Sequence, residues 1–576
     1  MSGIYGLLSK EVSSGISNVY AYFYNASLNN TVREEYRHKN FLFGRSCLEK
    51  FQNDRVLESC DDFIIAFEGL QYNKQSSNTA KDIRTLYRSF GKEFIHHIEG
   101  NFSGFLLDKQ QNRLLVFNDH LNTKPLYYFC DESHFIFASE LKVVSRIMST
   151  IGIKKRIDTD GIYSLLAFGY VLNNSTLIQN VRKMDYGTIL EMDLSSFALQ
   201  THKYFQFKSD ENIRLSHSEI ISGIDVLLTN SVKQQWQKDL EYGYEHYAFL
   251  SGGLDSRVNV LLAHELGYKN VTTMTFSQTG SNDQHIAQQI ATDYEFTHRF
   301  MALDNGHHLQ KNLENCVQAN DGLNLLIGSA AGLYFLSSID HKPFGSLHTG
   351  QIGDLLFGSY VKDNFTLSKA ALTRNPQMFQ KISWFETLQK RYENDPELFG
   401  YEQRVIHATF NGDRSLSHYS DITSPFYNKA LIEFCLSIPK KYKKHEAIYL
   451  DWFNKKHPRI SEYPWEQAGV RPTSTLKTLL GRQWLRYSNA FLRRLGMKIN
   501  DMNPYDQWLK NNTDLQNELE RIFSELIDKV EDPQLRNDIS ALYGNSAGHS
   551  HYGRYDRFIA VTALLALKLH FFDEHE

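Results

Sequence analysis

Residues 1 to about 205 carry short apolar and aromatic runs at 18–24, 63–67, 104–107, 113–117, 126–129 and 135–138, with turn residues between them. Runs of that length and spacing predict strands joined by hairpins. Residues 83–98 have helical spacing instead, so this half mixes helix with sheet. Residues 188–192 read as its last strand and the polar stretch 209–216 as a linker. Beyond it the period changes. Ile220, Ile224, Leu227, Leu228 and Val232 have the three-four spacing of an amphipathic helix. An apolar run at 246–250 ends on Ser-Gly-Gly-Leu-Asp-Ser at 251–256, followed by a helical pattern at 257–266 and a strand-like run at 271–276. Strand, glycine loop, helix and strand in that order predict a parallel sheet. The remainder reads as mostly helical. Two long uncharged stretches, 161–181 and 322–339, contain Asn, Gln, Ser and Gly. They predict buried helices of a large core rather than membrane spans.

At about 150 residues per domain, 576 residues allow several domains; the change of period near 206 divides them into two, 1–205 and 206–576. Lys+Arg 62 against Asp+Glu 66 leaves a formal net charge of -4, which argues against a nucleic-acid partner. The five cysteines, Cys47, Cys60, Cys130, Cys316 and Cys435, form no C-x-x-C and no disulfide framework. Core packing and a cytoplasmic location are the expectation. The N-terminal residues have neither a basic segment nor a long apolar one, so no export signal is expected. Aromatics reach 13 %, a large apolar mass that must enter cores or interfaces.

The loop at 251–256 carries the chemistry. A glycine loop between a strand end and a helix start directs free backbone amides and the helix dipole at an anion. Gly252 and Gly253 allow close approach to phosphate, and Ser251 and Ser256 add hydroxyls. Asp255 would repel phosphate unless a Mg²⁺ ion lay between them. A Mg–nucleotide site follows, although neither a Walker A loop nor a G-x-G occurs.

These residues resemble the pyrophosphatase loop of the asparagine synthetase family, and four further segments resemble that family in the same order: 119–128 (DHLNTKPLYY), 137–142 (FASELK), 349–358 (TGQIGDLLFG) and 424–434 around Ser424-Pro425-Phe426. The resemblance implies an N-terminal-nucleophile amidohydrolase domain, a four-layer αββα sandwich that takes ammonia from glutamine. It implies next an α/β synthetase domain with a parallel sheet and extra helices, 471–576 being a divergent helical extension. That domain adenylates a carboxylate with ATP and Mg²⁺, releasing pyrophosphate, and an amine then attacks. By resemblance Leu250, Ser251, Gly252, Gly253, Leu254, Asp255, Ser256, Phe276, Thr349 and Gly350 hold the nucleotide, and Asp255 and Asp354 hold the metal. A homodimer is compatible with the family.

The departures are specific. The family nucleophile, a cysteine at position 2, is Ser2 here. The oxyanion donor's place is taken by Glu68, whose charge would repel an oxyanion. The residue expected to hold the glutamine amine is Leu70, and Glu99 stands where an aspartate is usual. In the second half Gln351 and Leu355 replace acids, and Gln467 stands nearest to a lysine that neutralises departing pyrophosphate; Arg471, close by in sequence, is the candidate to supply that charge. The expectation is an AMP-forming amide synthetase without glutaminase activity. Its acceptor is a small-molecule, saccharide or peptide carboxylate, and its nitrogen comes from ammonia or an amine. The alternatives are a glutamine-hydrolysing asparagine synthase and a non-catalytic ATP-binding protein. Asp354 also reads as a helix N-cap. His298, His307 and His308 read as surface, as does the flexible-looking pair His549 and His551. A basic segment, 471–500, reads as a solvated or partner-facing amphipathic helix balanced by the acidic stretch 518–532, the alternative being a helix that meets a membrane surface or an anionic polymer.

Overall fold

A computed structural model describes residues 3–10, 16–27, 31–38, 40–361, 365–372, 376–494, 501–544 and 555–572. The first half contains two six-stranded antiparallel sheets. One runs, in spatial order, Val181–Lys183, Tyr127–Cys130, His134–Ala138, Gly3–Ser9, Phe41–Leu48 and Thr31–His38. The other runs Ala198–Lys203, Thr188–Asp193, Arg113–Asn118, Gly100–Asp108, Phe63–Gln71 and Val56–Ser59. Alternation along each strand sorts side chains into layers. Ile4 and Leu8 face the second sheet with Phe43, Phe105 and Phe137, whereas Tyr5 and Leu7 face outward to the helices Leu141–Thr150 and Thr159–Phe168. On the opposite outer face, Ile65 and Phe67 meet Ile83 and Tyr87 of the helix Thr79–Phe90. The layers are therefore αββα. The aromatic excess enters here: Phe43 and Phe105 stack across the sandwich with centroids 4.9 Å apart.

The second half is built on a parallel sheet, Thr297–Ala302, Val271–Ser277, Glu245–Phe249, Phe344–His348 and Ile422–Thr423. The 25-residue helix His217–Glu241 begins at a full capping box of Ser216 and Glu219. Near its end Asp239 is a buried hub: its Oδ2 lies 2.7 Å from His348 Nε2 and 3.2 Å from His246 Nδ1, and Oδ1 accepts from Ser346 N. The late helices Thr513–Leu526, Pro533–Gly544 and Asp556–Leu567 share one core cluster with Val317 and Ala330, and Tyr163 Oη donates to Asp538 at 2.7 Å. They are packed into the body of the chain.

Five expectations are corrected. Residues 18–24 are no strand; Val19–Tyr22 and Tyr24–Ser27 are 3₁₀ turns, entered through Asn18 at φ 61°. Val19 and Phe23 insert into the outer helical layer, and tertiary burial overrides the strand-like composition. The helix expected at 83–98 is Thr79–Phe90, ended at Gly91 (φ 57°), and the rest is 3₁₀. Residues 188–192 do not form the last strand, because they turn back into the exposed edge strand Ala198–Lys203. His308 is buried, and burial pushes its imidazole down to about 4. Asp354 is not an N-cap; Ile352 holds that position and Asp354 lies inside the turn Gly353–Leu356. The stretches 161–181 and 322–339 contain the buried helices Thr159–Phe168 and Ile327–Ser337. Among the described residues no helix is long and apolar enough to cross a membrane.

Candidate functional site: a loop-lined cleft and a buried ion-pair chain

The strand Glu245–Phe249 is pinned at its end, where Leu250 N donates to Met274 O and Leu250 O accepts from Thr275 Oγ1. The chain then turns through Ser251–Gly253 into the helix Leu254–Glu265. No side chain caps that helix, so its first amides stay available to a ligand. Ser251 and Ser256 hold each other at 3.1 Å across the loop, and Gly253 N donates to Ser251 Oγ. A buried arginine anchors the loop from behind. Arg257 donates to the carbonyls of Gly252, Ile460, Tyr463 and Pro464 at 2.7–3.1 Å.

The segment 349–354 lies against this loop backbone to backbone. A Cβ at Gly350 would come within 2.2 Å of Ser256 N, and one at Gly353 within 2.5 Å of Asp255 Cγ. Asn259 Nδ2 donates to Thr349 O at 2.8 Å, and Asp354 N donates to Asp255 Oδ2 at 2.9 Å. Between the glycines, the β-branched Ile352 sits at φ 65°, a conformation that costs about 1–3 kcal/mol and persists only where its surroundings enforce it.

The result is a cleft of about 390 Å³. Ser251, Gly253, Leu254, Asp255, Ser256, Thr349, Gly350, Gln351, Asp354 and Gln467 line it. Of the remaining expected residues, Leu250 is buried behind the wall. Gly252 turns its amide to Asp283 Oδ1 at 3.1 Å. Phe276 lines a second cavity of about 500 Å³, which shares Phe249 and Gln351 with the cleft. Arg471 is exposed and is not among the lining residues.

Sequence reasoning missed Glu446, Tyr449, Trp465 and Glu466 in the cleft wall, and Arg257 behind it. These residues carry no motif signal; chain segments 190 residues apart meet there only after folding. Burial pushes the Asp255 carboxyl well up, and the charge of Asp354 adds to it. Asp354 opens to the cleft, and its carboxyl is also raised, by burial first. Glu466 is pushed up to about 7 by burial and then by Asp283. No Lys or Arg is among the lining residues. A set of carboxylates disfavoured in its charged form, beside open helix amides, has the donor chemistry that Mg²⁺ and phosphate oxygens require.

Of the residues expected around the first half's pocket, Glu68 and Leu70 are buried in protein contacts, whereas Glu99 lines a cavity of about 400 Å³. Glu68, on the strand Phe63–Gln71, is buried with its Oε1 3.2 Å from Arg55 Nε. Arg55 also pairs with Asp421, and Lys124 pairs with the other oxygen of Asp421. All are nearly inaccessible. Burial raises the Glu68 carboxyl, with Arg55 opposing; Asp421 is held below the ordinary carboxylate range because its two cations outweigh its burial. Leu70 is fully buried, and Glu99 accepts from Gln234 Nε2 at 3.3 Å. Ser2, His549 and His551 lie outside the described residues.

An amidohydrolase-type sandwich joined to a loop-bearing parallel sheet defines a two-domain protein of the amidotransferase–synthase class. The glutamine amidotransferase domain family matches residues 61–205, and the asparagine synthase family matches residues 223–420. The chain belongs to the asparagine synthetase family. A Methanocaldococcus jannaschii protein bearing the name asparagine synthetase 2 is 26 % identical over 52 % of this chain and 59 % of its own length. Glutamine-hydrolysing asparagine synthetase 1 of Bacillus subtilis is 24 % identical over 56 % of this chain and 50 % of its own. The match thus spans 50–59 % of the length of these curated relatives. A solved glutamine phosphoribosylpyrophosphate amidotransferase of B. subtilis, complexed with ADP and GMP, aligns over 52 % of this chain and 91 % of its own. It has 10 % identity and a TM-score of 0.26, and that likeness carries no weight.

Proposed function

We propose that this chain is an ATP-dependent amide synthetase of the carbon–nitrogen ligase type that forms AMP and pyrophosphate and does not hydrolyse glutamine. The meeting of the loop 251–256 with the segment 349–354, which brings Asp255 and Asp354 together beneath open helix amides, is the observation that carries it. The amides of the helix Leu254–Glu265 and the hydroxyls of Ser251 and Ser256 bind the phosphates. Asp255 and Asp354 would hold Mg²⁺, which supplies charge neutralisation on the phosphates when bound. The acceptor carboxylate enters the adjoining cavity, where Arg404 is the lone cationic side chain among the lining residues. Gln351 belongs to both spaces and its amide donates to Asp413 Oδ1 at 3.2 Å, so it is oriented between nucleotide and acceptor. A carboxylate oxygen attacks the α-phosphorus, and the bond to pyrophosphate breaks. An amine nitrogen then attacks the acyl carbon, AMP departs with the bonding pair, and the nitrogen loses a proton.

The Arg55–Glu68 pair supports the loss of glutaminase chemistry. An oxyanion needs donors, and this position offers a carboxylate engaged in holding Arg55. ATP–pyrophosphate exchange that depends on an added pool of sugar acids, amino acids or peptides tests the synthetase; ATP binding without exchange would favour the non-catalytic reading, which the absence of a lining cation supports. Glutamate released from glutamine by the intact chain, and abolished in Ser2→Ala, would defeat the second claim.

A further inference from the structure

The helix Thr475–Arg494 follows directly on the cleft wall. Its inner side packs there: the Arg482 guanidinium lies over the Trp465 ring at 4.3 Å and bonds Glu446 at 2.9 Å, and both partners line the cleft. Thr478 and Gly481 are buried on the same side. The outer side is apolar and open. Leu476, Leu480, Trp484, Tyr487 and Phe491 are 59–76 % exposed. At 100° per residue these five fall within an arc of about 80°. They are the largest cluster of exposed apolar side chains in the described structure; the other exposed examples, such as Phe90 and Ile213, are isolated. Lys477 and Arg486, both exposed, flank the stripe on either edge.

Charge decides what covers it. From 467 to 500 the sequence has no Asp or Glu and seven basic residues, Arg471, Lys477, Arg482, Arg486, Arg493, Arg494 and Lys498, within a chain whose formal net charge is -4. The acidic residues 518–532, expected to balance this segment, are engaged elsewhere: Glu518 and Glu525 pair with Arg521, and Glu520 accepts from Tyr543. A second copy placed helix to helix would set this positive segment against itself. An aromatic and leucine stripe edged by cations matches the boundary of a bilayer bearing anionic headgroups: the rings and leucines enter the acyl boundary and the cations reach the headgroups.

We propose that the outer face of Thr475–Arg494 docks the protein on an anionic lipid bilayer surface. The helix would lie in the plane of the interface, without crossing it, and hold the cleft wall about one helix diameter, roughly 10 Å, from the headgroups.

The test is co-sedimentation of the full chain with phosphatidylglycerol vesicles and with phosphatidylcholine vesicles, at low and high salt, alongside sedimentation velocity without lipid. Binding to phosphatidylglycerol alone, weakened by salt and by at least about tenfold in Leu480→Glu/Trp484→Glu, is expected. The variant should keep its thermal midpoint, since both side chains are exposed. The milder Lys477→Gln/Arg486→Gln should bind less tightly and lose part of the salt dependence. Absence of vesicle binding by the wild-type chain would overturn the proposal. So would equal binding to both lipids, or self-association that Leu480→Glu/Trp484→Glu abolishes while vesicles bind neither protein.

Discussion

Two regions that the family devotes to chemistry have taken opposite courses in this chain. Around the loop 251–256, polar groups stay unsatisfied and strained: carboxylates face one another, helix amides are uncapped and Ile352 is held at φ 65°. Around Glu68 the charges pair with one another: Glu68 with Arg55, Arg55 with Asp421, and Asp421 with Lys124, although neither Glu68 oxygen has a hydrogen-bond partner. A binding site must leave charge for its ligand, whereas a structural tie offsets its charge within the protein. The contrast separates an open cleft at the loop 251–256 from a buried ion-pair chain that ties residues 55 and 68 to residue 421.

Breaking the tie should produce the largest effect. Arg55→Ala leaves Glu68 and Asp421 buried without their shared cation and should cost about 3–5 kcal/mol in chemical denaturation; a change below 1 kcal/mol would mean that the joint is not structural. Glu68→Asn, which restores an amide at that position, should also destabilise the chain and still release no glutamate from glutamine. On the other side of the comparison, Asp255→Ala or Asp354→Ala should lower ATP–pyrophosphate exchange by about 100- to 1000-fold without loss of stability. An unfolding midpoint lowered as far as in Arg55→Ala would assign these carboxylates to structure instead.

Asp413 tests the border between the two roles. Burial pushes its carboxyl up to about 7, although Tyr427 Oη and Gln351 Nε2 both donate to it. The folded state therefore binds a proton that the unfolded chain has released, so stability falls as pH rises from about 4 to about 7. The loss should approach about 2–4 kcal/mol, and Asp413→Asn should flatten that slope in a pH series of denaturation midpoints. The smallest expected effect is a gain. Gln467→Lys adds a cation to a cleft lined by none, and exchange should rise by about tenfold or less, as one charge in a partly open site permits.

Much of this was legible from residue order. The strand runs at 63–67, 104–107 and 113–117 and the strand–loop–helix order around 251–256 depend on local patterning, and the structure places those elements there. The strand Thr31–His38 escaped notice because Arg33, Glu34, Glu35 and Arg37 hide the alternation of an edge strand that pairs on one side only. The exposed strand Ala198–Lys203 escaped for the same reason. Arg471 illustrates the limit of proximity along the chain: four residues from Gln467, it is exposed and not among the residues that line the cleft, while Glu446 and Tyr449, about 20 residues upstream, line it.

The sequence by itself determined the family and the mixed fold class, because both rest on residues contiguous in the chain or spaced by a helix or strand repeat. It also exposed Glu68 and Ser2 as departures. What Glu68 does instead was decided only by tertiary structure, since its partner chain through Arg55 to Asp421 joins residues more than 350 positions apart. The open stripe of Thr475–Arg494 was decided the same way. Periodicity can mark an apolar face, but whether that face is covered depends on which other surfaces fold against it.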